Sequence, residues 1–323
     1  MAEQNAFDKN SNYILSICIP TFNRRNYLEK AVESVLKIYN PEIEIIISDN
    51  CSEDDTKDYC ENLIKQYPFI KYNRNKENLG PDRNFLTLFQ LATGKYVQIL
   101  SDDDEVRCKN IEKFLDFLRD EEFCLGELYS ITNDGSPLHE INEQNRVYQE
   151  DEICDFIETC GINLTFVSAL LFNKNYFLEV ENPQQFVNSY LLQSHLAMAM
   201  LKFCKKTAMI YDYYCCATPN TSGGYNIYEI FVKNWKMVLC VTAAKSGISK
   251  KFLKKQFGRD LVFAKRYLVL EKRSGIKFRT DHKFRYFKYS FSYAYGIFVI
   301  LPILLMPRFL VRFLYRIYKQ IKR

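Results

Sequence analysis

The sequence predicts an α/β fold: an open sheet flanked by helices, followed by a helical and basic C-terminal region. Three observations carry that expectation. Short apolar runs alternate with amphipathic stripes over residues 14–100, the pattern of consecutive strand–helix units. Each run closes in a polar turn, and such turns line one edge of an open sheet, where ligands bind. The net charge then changes sign along the chain.

Ile14 to Ile19 is a short apolar run closed by Pro20, as expected of a buried parallel strand opening into a loop. Asn23 to Asn26 offers caps for a helix carrying Leu28, Ala31, Val32 and Val35 on one stripe. Ile43 to Ser48 is a second strand, ending in Asp49-Asn50-Cys51-Ser52, and a helix through Tyr59 and Leu63 follows. A third strand near Ile70 leads to Asn78-Leu79-Gly80 and a helix with Phe85, Leu88 and Phe89 inward, stopped by Gly94. Tyr96 to Leu100 is the fourth strand and ends in Ser101-Asp102-Asp103-Asp104-Glu105. Successive units of this kind imply right-handed parallel crossovers. Beyond them the pattern predicts a helix over 111–118, a strand over 128–131, a turn at Asn133 to Pro137, a strand over 163–172 and a helix over 190–203. Past Gly223 the chain reads as helical and basic.

Composition bounds the function. The 323 residues are 47% hydrophobic and 26% charged, with 11 Gly and 9 Pro, which excludes disordered, collagenous and low-complexity classes. Residues 1–244 carry 23 basic and 36 acidic side chains, whereas residues 245–323 carry 21 basic and three acidic ones. A basic end of this kind attracts anionic headgroups or nucleic acid. The eleven cysteines form no C-x-x-C pair, and reduced thiols in a cytosolic compartment are expected. Met1 to Ser11 lacks the basic start and apolar run of a secretory signal.

The three consecutive aspartates at the end of a buried strand would repel one another unless a cation or strong donors compensate. A hard divalent ion, Mg²⁺ or Mn²⁺, sharing its sites with a substrate diphosphate meets that need. A solvated acidic turn before the helix at Asn110 is the plainer alternative. Neither G-x-x-x-x-G-K-[ST] nor G-x-G-x-x-G is present, so a diphosphate would be neutralised by metal rather than by a glycine loop.

Four motifs in order, Leu15 to Arg24, Glu44 to Thr56, Asn78-Leu79-Gly80 and Gly94 to Asp104, resemble family 2 glycosyltransferases of the GT-A fold. The acidic run followed by Glu105 is most similar to the abequosyltransferase-like branch of lipopolysaccharide O-antigen enzymes. The resemblance implies a Rossmann-like open mixed sheet and inverting transfer of a sugar from a nucleotide diphosphate sugar to a glycan or lipid-linked acceptor. UDP is the nucleotide by family habit, with CDP and dTDP compatible. It further implies that Pro20, Thr21, Phe22 and Asn23 border the base, that Asp49 bonds its ring nitrogen, and that Asn78 and Arg83 lie near the nucleotide. Asp102 and Asp103 would bind the donor, and Asp102 and Asp104 the metal, Mn²⁺ or Mg²⁺. Ser101 stands where the family's D-x-D-D has its first aspartate, while Asp102-x-Asp104 keeps a D-x-D in another register.

Inversion needs a general base on the attacking hydroxyl. The family's Glu-Asp pair is missing from Asn188 to Leu196, where His195 is the nearest titratable residue; imidazole suits a base at neutral pH. A packed core histidine is the competing reading, and Glu179, Glu181 and Asp134 are further candidates. His139 and His282 read as surface residues.

The last segment has an apolar run, Tyr295 to Met306, and then Arg308, Arg312, Arg316 and Lys319 at helical spacing opposite Phe309, Phe313, Leu314 and Ile317. That is the pattern of a helix lying in a membrane interface, with docking of the helix on its own domain as the alternative. The apolar run is shorter than a spanning helix needs. An anionic membrane surface is the expected partner and nucleic acid is not, placing the enzyme peripherally on the inner face of the cell membrane. The expected organisation is a polar tail at 1–12, a catalytic domain at 13–215, a helical basic region at 216–288 and an amphipathic segment at 289–323. A polyprenyl-phosphate sugar synthase and a non-catalytic nucleotide-binding relative are the alternative functions.

Overall fold

The computed structural model describes residues 13–132, 135, 144–203, 206–218, 226, 228–274 and 283–321. The polar tail, Asp134 with most of its turn, His139 and His282 lie outside these residues. The chain divides into two compact units, Met1–Thr221 and Ser222–Arg323.

In the first unit the strand–helix alternation appears as expected: β1 (Leu15–Thr21), α1 (Arg25–Leu36), β2 (Ile43–Asp49), α2 (Thr56–Gln66), β3 (Ile70–Arg74), α3 (Pro81–Leu91) and β4 (Tyr96–Ile99). Then follow β5 (Glu105–Cys108), α4 (Ile111–Asp120), β6 (Leu125–Thr132), β7 (Arg146–Gln149), α5 (Ile153–Cys160), β8 (Leu170–Asn173), α6 (Lys174–Leu178), α7 (Leu192–Met200) and β9 (Lys206–Ala217). The sheet runs β3-β2-β1-β4-β8-β6-β9-β5, with β7 also paired to β9. Strands β1 to β4 are mutually parallel where they pair, whereas β8 is antiparallel to both β4 and β6, so the sheet is open and mixed.

Register positions the loops. Thr21 at the end of β1 lies across from Asp49 at the end of β2, and the Leu100 amide donates to the Cys18 carbonyl at 2.9 Å. The carboxyl ends of β1, β2 and β4 therefore open side by side. The opposite edge is knitted by Glu44, whose buried carboxylate accepts from Ser16 Oγ at 2.5 Å and from the Thr93 amide and hydroxyl at 2.8 Å each, and pairs with Lys71. Gly94 does more than end a helix. A Cβ there would lie 2.7 Å from Ser16 Oγ and 2.8 Å from the Ser16 amide, so only glycine lets this loop cross β1.

One expectation changes. The expected strand over 163–172 is strand only from Leu170, preceded by 3₁₀ turns at Gly161–Thr165 and Val167–Ala169. The turns carry polar residues inward, and Ser168 is fully buried with its hydroxyl and carbonyl both bonded. The longest strand, β9, has no alternating pattern in sequence because most of its residues are buried on both faces.

The second unit is helical, with the long helix Lys250–Ser274 at its centre. The buried Trp235 donates its indole N–H to Asp260 Oδ2 at 2.8 Å, and Gln256 Nε2 reaches Oδ1 at 3.0 Å. The ammonium of Lys272 donates to the carbonyls of Leu304, at 2.7 Å, and Met306. Those carbonyls close the segment Gly296–Leu305, after which the chain bends by 115° into Arg308–Tyr318. Among the described residues no single helix is long and apolar enough to cross a membrane.

Burial pushes the Asp260 carboxyl up to about 7. A carboxyl raised above its unfolded value of about 3.9 makes the folded state hold the proton more tightly, so stability falls as pH rises between the two values. Trp235 is the chain's single tryptophan. Its emission is expected to titrate with a midpoint near 7 in the wild type and to lose that titration in Asp260→Asn, as followed by fluorescence against pH.

Candidate active site

The three parallel strand ends bring together most of the residues expected from sequence. Thr21 is buried, and Phe22 and Asn23 are exposed beside it. Asn23 has φ of 54° and bridges two loops: its amide donates to Ser52 Oγ at 2.9 Å, and its side-chain oxygen accepts the Glu53 amide at 2.6 Å. An asparagine tolerates this left-handed conformation better than most residues.

The acidic run lies at the centre. Asp102 accepts from Thr21 Oγ1 at 2.8 Å and pairs with Arg24 Nη1 at 2.9 Å. Asp103 accepts from Ser101 Oγ at 2.5 Å and pairs with Arg24 Nη2 at 2.7 Å. Asp104 faces elsewhere, accepting from Ser168 Oγ at 2.6 Å and from the Thr218 amide at 3.0 Å. Burial pushes both Asp102 and Asp104 up to about 7, each raised further by its acidic neighbours and, for Asp102, opposed by Arg24.

Asp49 is completely buried. Its Oδ1 accepts the Ser52 amide at 2.7 Å, and its Oδ2 accepts the Tyr72 hydroxyl at 3.0 Å and Arg74 Nη1 at 2.6 Å. These contacts make it the post of the β2 turn. Beside it runs an amide network of which sequence reasoning reached Asn50, Asn78 and Asn84 but not Asn75. Asn50 Nδ2 donates to Asn78 Oδ1 at 2.8 Å, Asn75 Nδ2 donates to Asn50 Oδ1 at 3.0 Å and Asn84 Oδ1 at 2.9 Å, and Asn84 Nδ2 donates to the Ser48 carbonyl at 3.0 Å. Arg83, on the first turn of α3, is exposed.

The geometry gives His195 little support as a base. Its ring is buried in α7 and stacked on Phe186, 4.8 Å between centroids, and desolvation lowers its pKa to about 4. An imidazole so shifted is neutral at physiological pH but a weak proton acceptor. The loop before α7 is held instead by Asp82, which accepts the Tyr190 amide at 3.1 Å while Asn188 and Tyr190 both adopt positive φ. Glu179 and Glu181 are exposed.

Arg24, Arg74, Asn75, Asp82, Ser168 and Thr218 are the site residues that sequence reasoning missed. Arg24 closes the first motif and Arg74 ends β3, between the second and third motifs, whereas Ser168 and Thr218 come from elements remote in the chain.

Residues 16–175 match glycosyl transferase family 2. This segment is a family 2 glycosyltransferase domain. Curated relatives include abequosyltransferase RfbV of Salmonella typhimurium, 47% identical over 94 residues, which are 28% of either chain. Another is the GalNAc(5)-diNAcBac-PP-undecaprenol beta-1,3-glucosyltransferase of Campylobacter jejuni, 43% identical over 93 residues, which are 28% of this chain and 30% of that one. The matched stretch thus spans under a third of either relative. The open mixed sheet is the GT-A arrangement. S. aureus TarS with UDP-GlcNAc superposes with a TM-score of 0.60 at 16% identity over 77% of this chain and 71% of that chain. The mannosyltransferase PcManGT from Pyrobaculum calidifontis, solved with GDP-Man and Mn²⁺, gives 0.54 at 12% identity over 97% and 90%.

The donor set of the domain fits a hard divalent cation. Asp102, Asp103 and Asp104 offer only carboxylate oxygens, and one guanidinium pairs with two of the three acids. Among the described residues no ready cage of three or more His, Cys, Asp or Glu exists, so side chains must adjust to admit the ion.

His195→Phe keeps the stack on Phe186 and is expected to leave donor turnover within about three-fold of wild type. A loss on the order of 100-fold or more, without loss of folding, would identify the imidazole as the base.

Proposed function

We propose that the chain is an inverting glycosyltransferase that moves a sugar from a pyrimidine nucleotide diphosphate donor, UDP foremost, to a hydroxyl of a lipid-linked or cell-surface glycan. The observation that carries this reading is the acidic run at the end of β4, set beside the turns of β1 and β2 within a family 2 domain. The base lies against Pro20, Phe22 and the Asp49–Asn50 turn, with Asn78 and Arg83 toward the nucleotide. Asp102 and Asp103 meet the donor, and Asp102 and Asp104 would hold Mn²⁺ or Mg²⁺, which would supply positive charge to offset that of the departing nucleoside diphosphate. By their names, the Salmonella and Campylobacter relatives transfer abequose and glucose, the latter to an undecaprenol-linked glycan, which supports a lipid-linked acceptor.

The helix Arg308–Ile321 supports action at an anionic membrane face. Phe309 is 73% exposed and Phe313 57%, with Leu314 and Tyr318 also exposed, and Arg308, Arg312 and Arg316 share the same helix. Exposed aromatic and aliphatic groups together with basic ones favour anionic headgroups.

Thermal denaturation with UDP, CDP, dTDP and GDP, with and without Mn²⁺, tests the donor assignment. One pyrimidine diphosphate is expected to raise the melting temperature in a metal-dependent way, and Asp104→Asn to remove the effect. Stabilisation without metal and without turnover would favour a non-catalytic relative, and an acid-labile phosphodiester product a polyprenyl-phosphate sugar synthase.

Sedimentation with vesicles tests the membrane assignment. Binding is expected with phosphatidylglycerol, weakened by salt and by Phe309→Asp with Phe313→Asp; equal binding to neutral vesicles would remove the electrostatic part of the reading.

A further inference from the structure

All six carboxylate oxygens of the acidic run already hold a protein donor: Thr21, Ser101, Ser168, the Thr218 amide, and Arg24 twice. Each oxygen keeps a second lone pair, so a divalent ion joining the cluster is opposed chiefly by the one donor that carries a full positive charge, Arg24. Four donors are fixed, because Thr21 and Ser168 are buried in the strand and turn that present them, Ser101 lies two residues before its acceptor in the same turn, and the Thr218 donor is backbone. Arg24 differs. Its side chain is 28% exposed, it lies before the first turn of α1, and its guanidinium carbon is 4.6 Å from the centroid of the half-exposed Tyr27 ring.

We propose that Arg24 is a built-in counter-cation that occupies the acidic run between catalytic cycles and must withdraw for the divalent ion to bind. The inference rests on the reading of Asp102 to Asp104 as the metal-binding run. The guanidinium forks across Asp102 and Asp103, balancing a buried negative cluster that would otherwise be costly to hold without metal. It leaves along a route that Tyr27 already lines, since an arginine plane rests on an aromatic face at small cost. Metal and guanidinium thereby compete at Asp102, the carboxylate they share, and the affinity for the ion in the absence of nucleotide is set by Arg24 as much as by the ligands. Such a device keeps the site from trapping a metal ion without its donor.

The experiment is titration of the nucleotide-free protein with Mn²⁺, read by loss of the free-ion electron paramagnetic resonance signal. Wild type, Arg24→Ala, Arg24→Lys and Asp104→Asn are compared, with folding checked by circular dichroism. Arg24→Ala is expected to bind Mn²⁺ more tightly than wild type, by on the order of ten-fold, with Arg24→Lys between the two. Arg24→Gln replaces the alanine variant if that one does not fold. Affinity unchanged or weakened by loss of the guanidinium overturns the proposal while leaving the metal site standing. Binding that Asp104→Asn does not alter overturns the metal-site reading, and the proposal with it.

Discussion

The first unit depends on one electrostatic constraint: carboxyl groups buried at the carboxyl edge of a sheet must each be met by donors. A buried carboxylate without partners costs several kcal/mol, and chain segments are placed to avoid that. Strand β3 sends Tyr72 and Arg74 to Asp49, the β1 loop sends Thr21 and Arg24 to Asp102, and the turn before β8 sends Ser168 to Asp104. Parallel pairing of β1 with β2 and β4 makes this possible, because it stacks the three strand ends on one side.

Much of this was legible in the sequence. Strands β1, β2 and β4 are buried on both faces, so they read as mostly apolar runs, and their polar turns stand out against them. The acidic run and the turn residues Thr21, Asn23, Asp49 and Asn78 follow from that contrast. What was hidden depends on tertiary placement. Ser168 sits in a stretch whose apolar composition reads as strand, yet the chain there coils into 3₁₀ turns to aim the hydroxyl at Asp104. His195 illustrates the converse: a titratable residue in a suggestive place proves to be stacked and desolvated, which no spacing reveals.

The second unit answers a related problem differently. Its largely enclosed acid, Asp260, is met by the neutral donors Trp235 and Gln256, so desolvation raises its pKa. Its buried cation, Lys272, is spent on the carbonyls that end an apolar segment, a C-terminal cap supplied from another helix. With those two groups neutral or satisfied internally, the arginines of Arg308–Ile321 stay at the surface, and Arg312 touches the fold through the Arg273 carbonyl at 3.0 Å.

Strand β9 has a bearing on how the domain assembles. It pairs with β5, β6 and β7, and just beyond its end the Thr218 amide completes the shell of Asp104, a contact spanning 114 residues of sequence. Contacts of such separation require large loops to close before they return any stabilisation, which makes them late events in folding. Strands β1 to β4 can pair locally, but the shell of Asp104 is complete only when the last strand of the sheet has docked. A nascent chain released before β9 would leave Asp104 without the Thr218 amide and β6 paired only with β8, so full synthesis of the unit and completion of its acidic site are coupled in time.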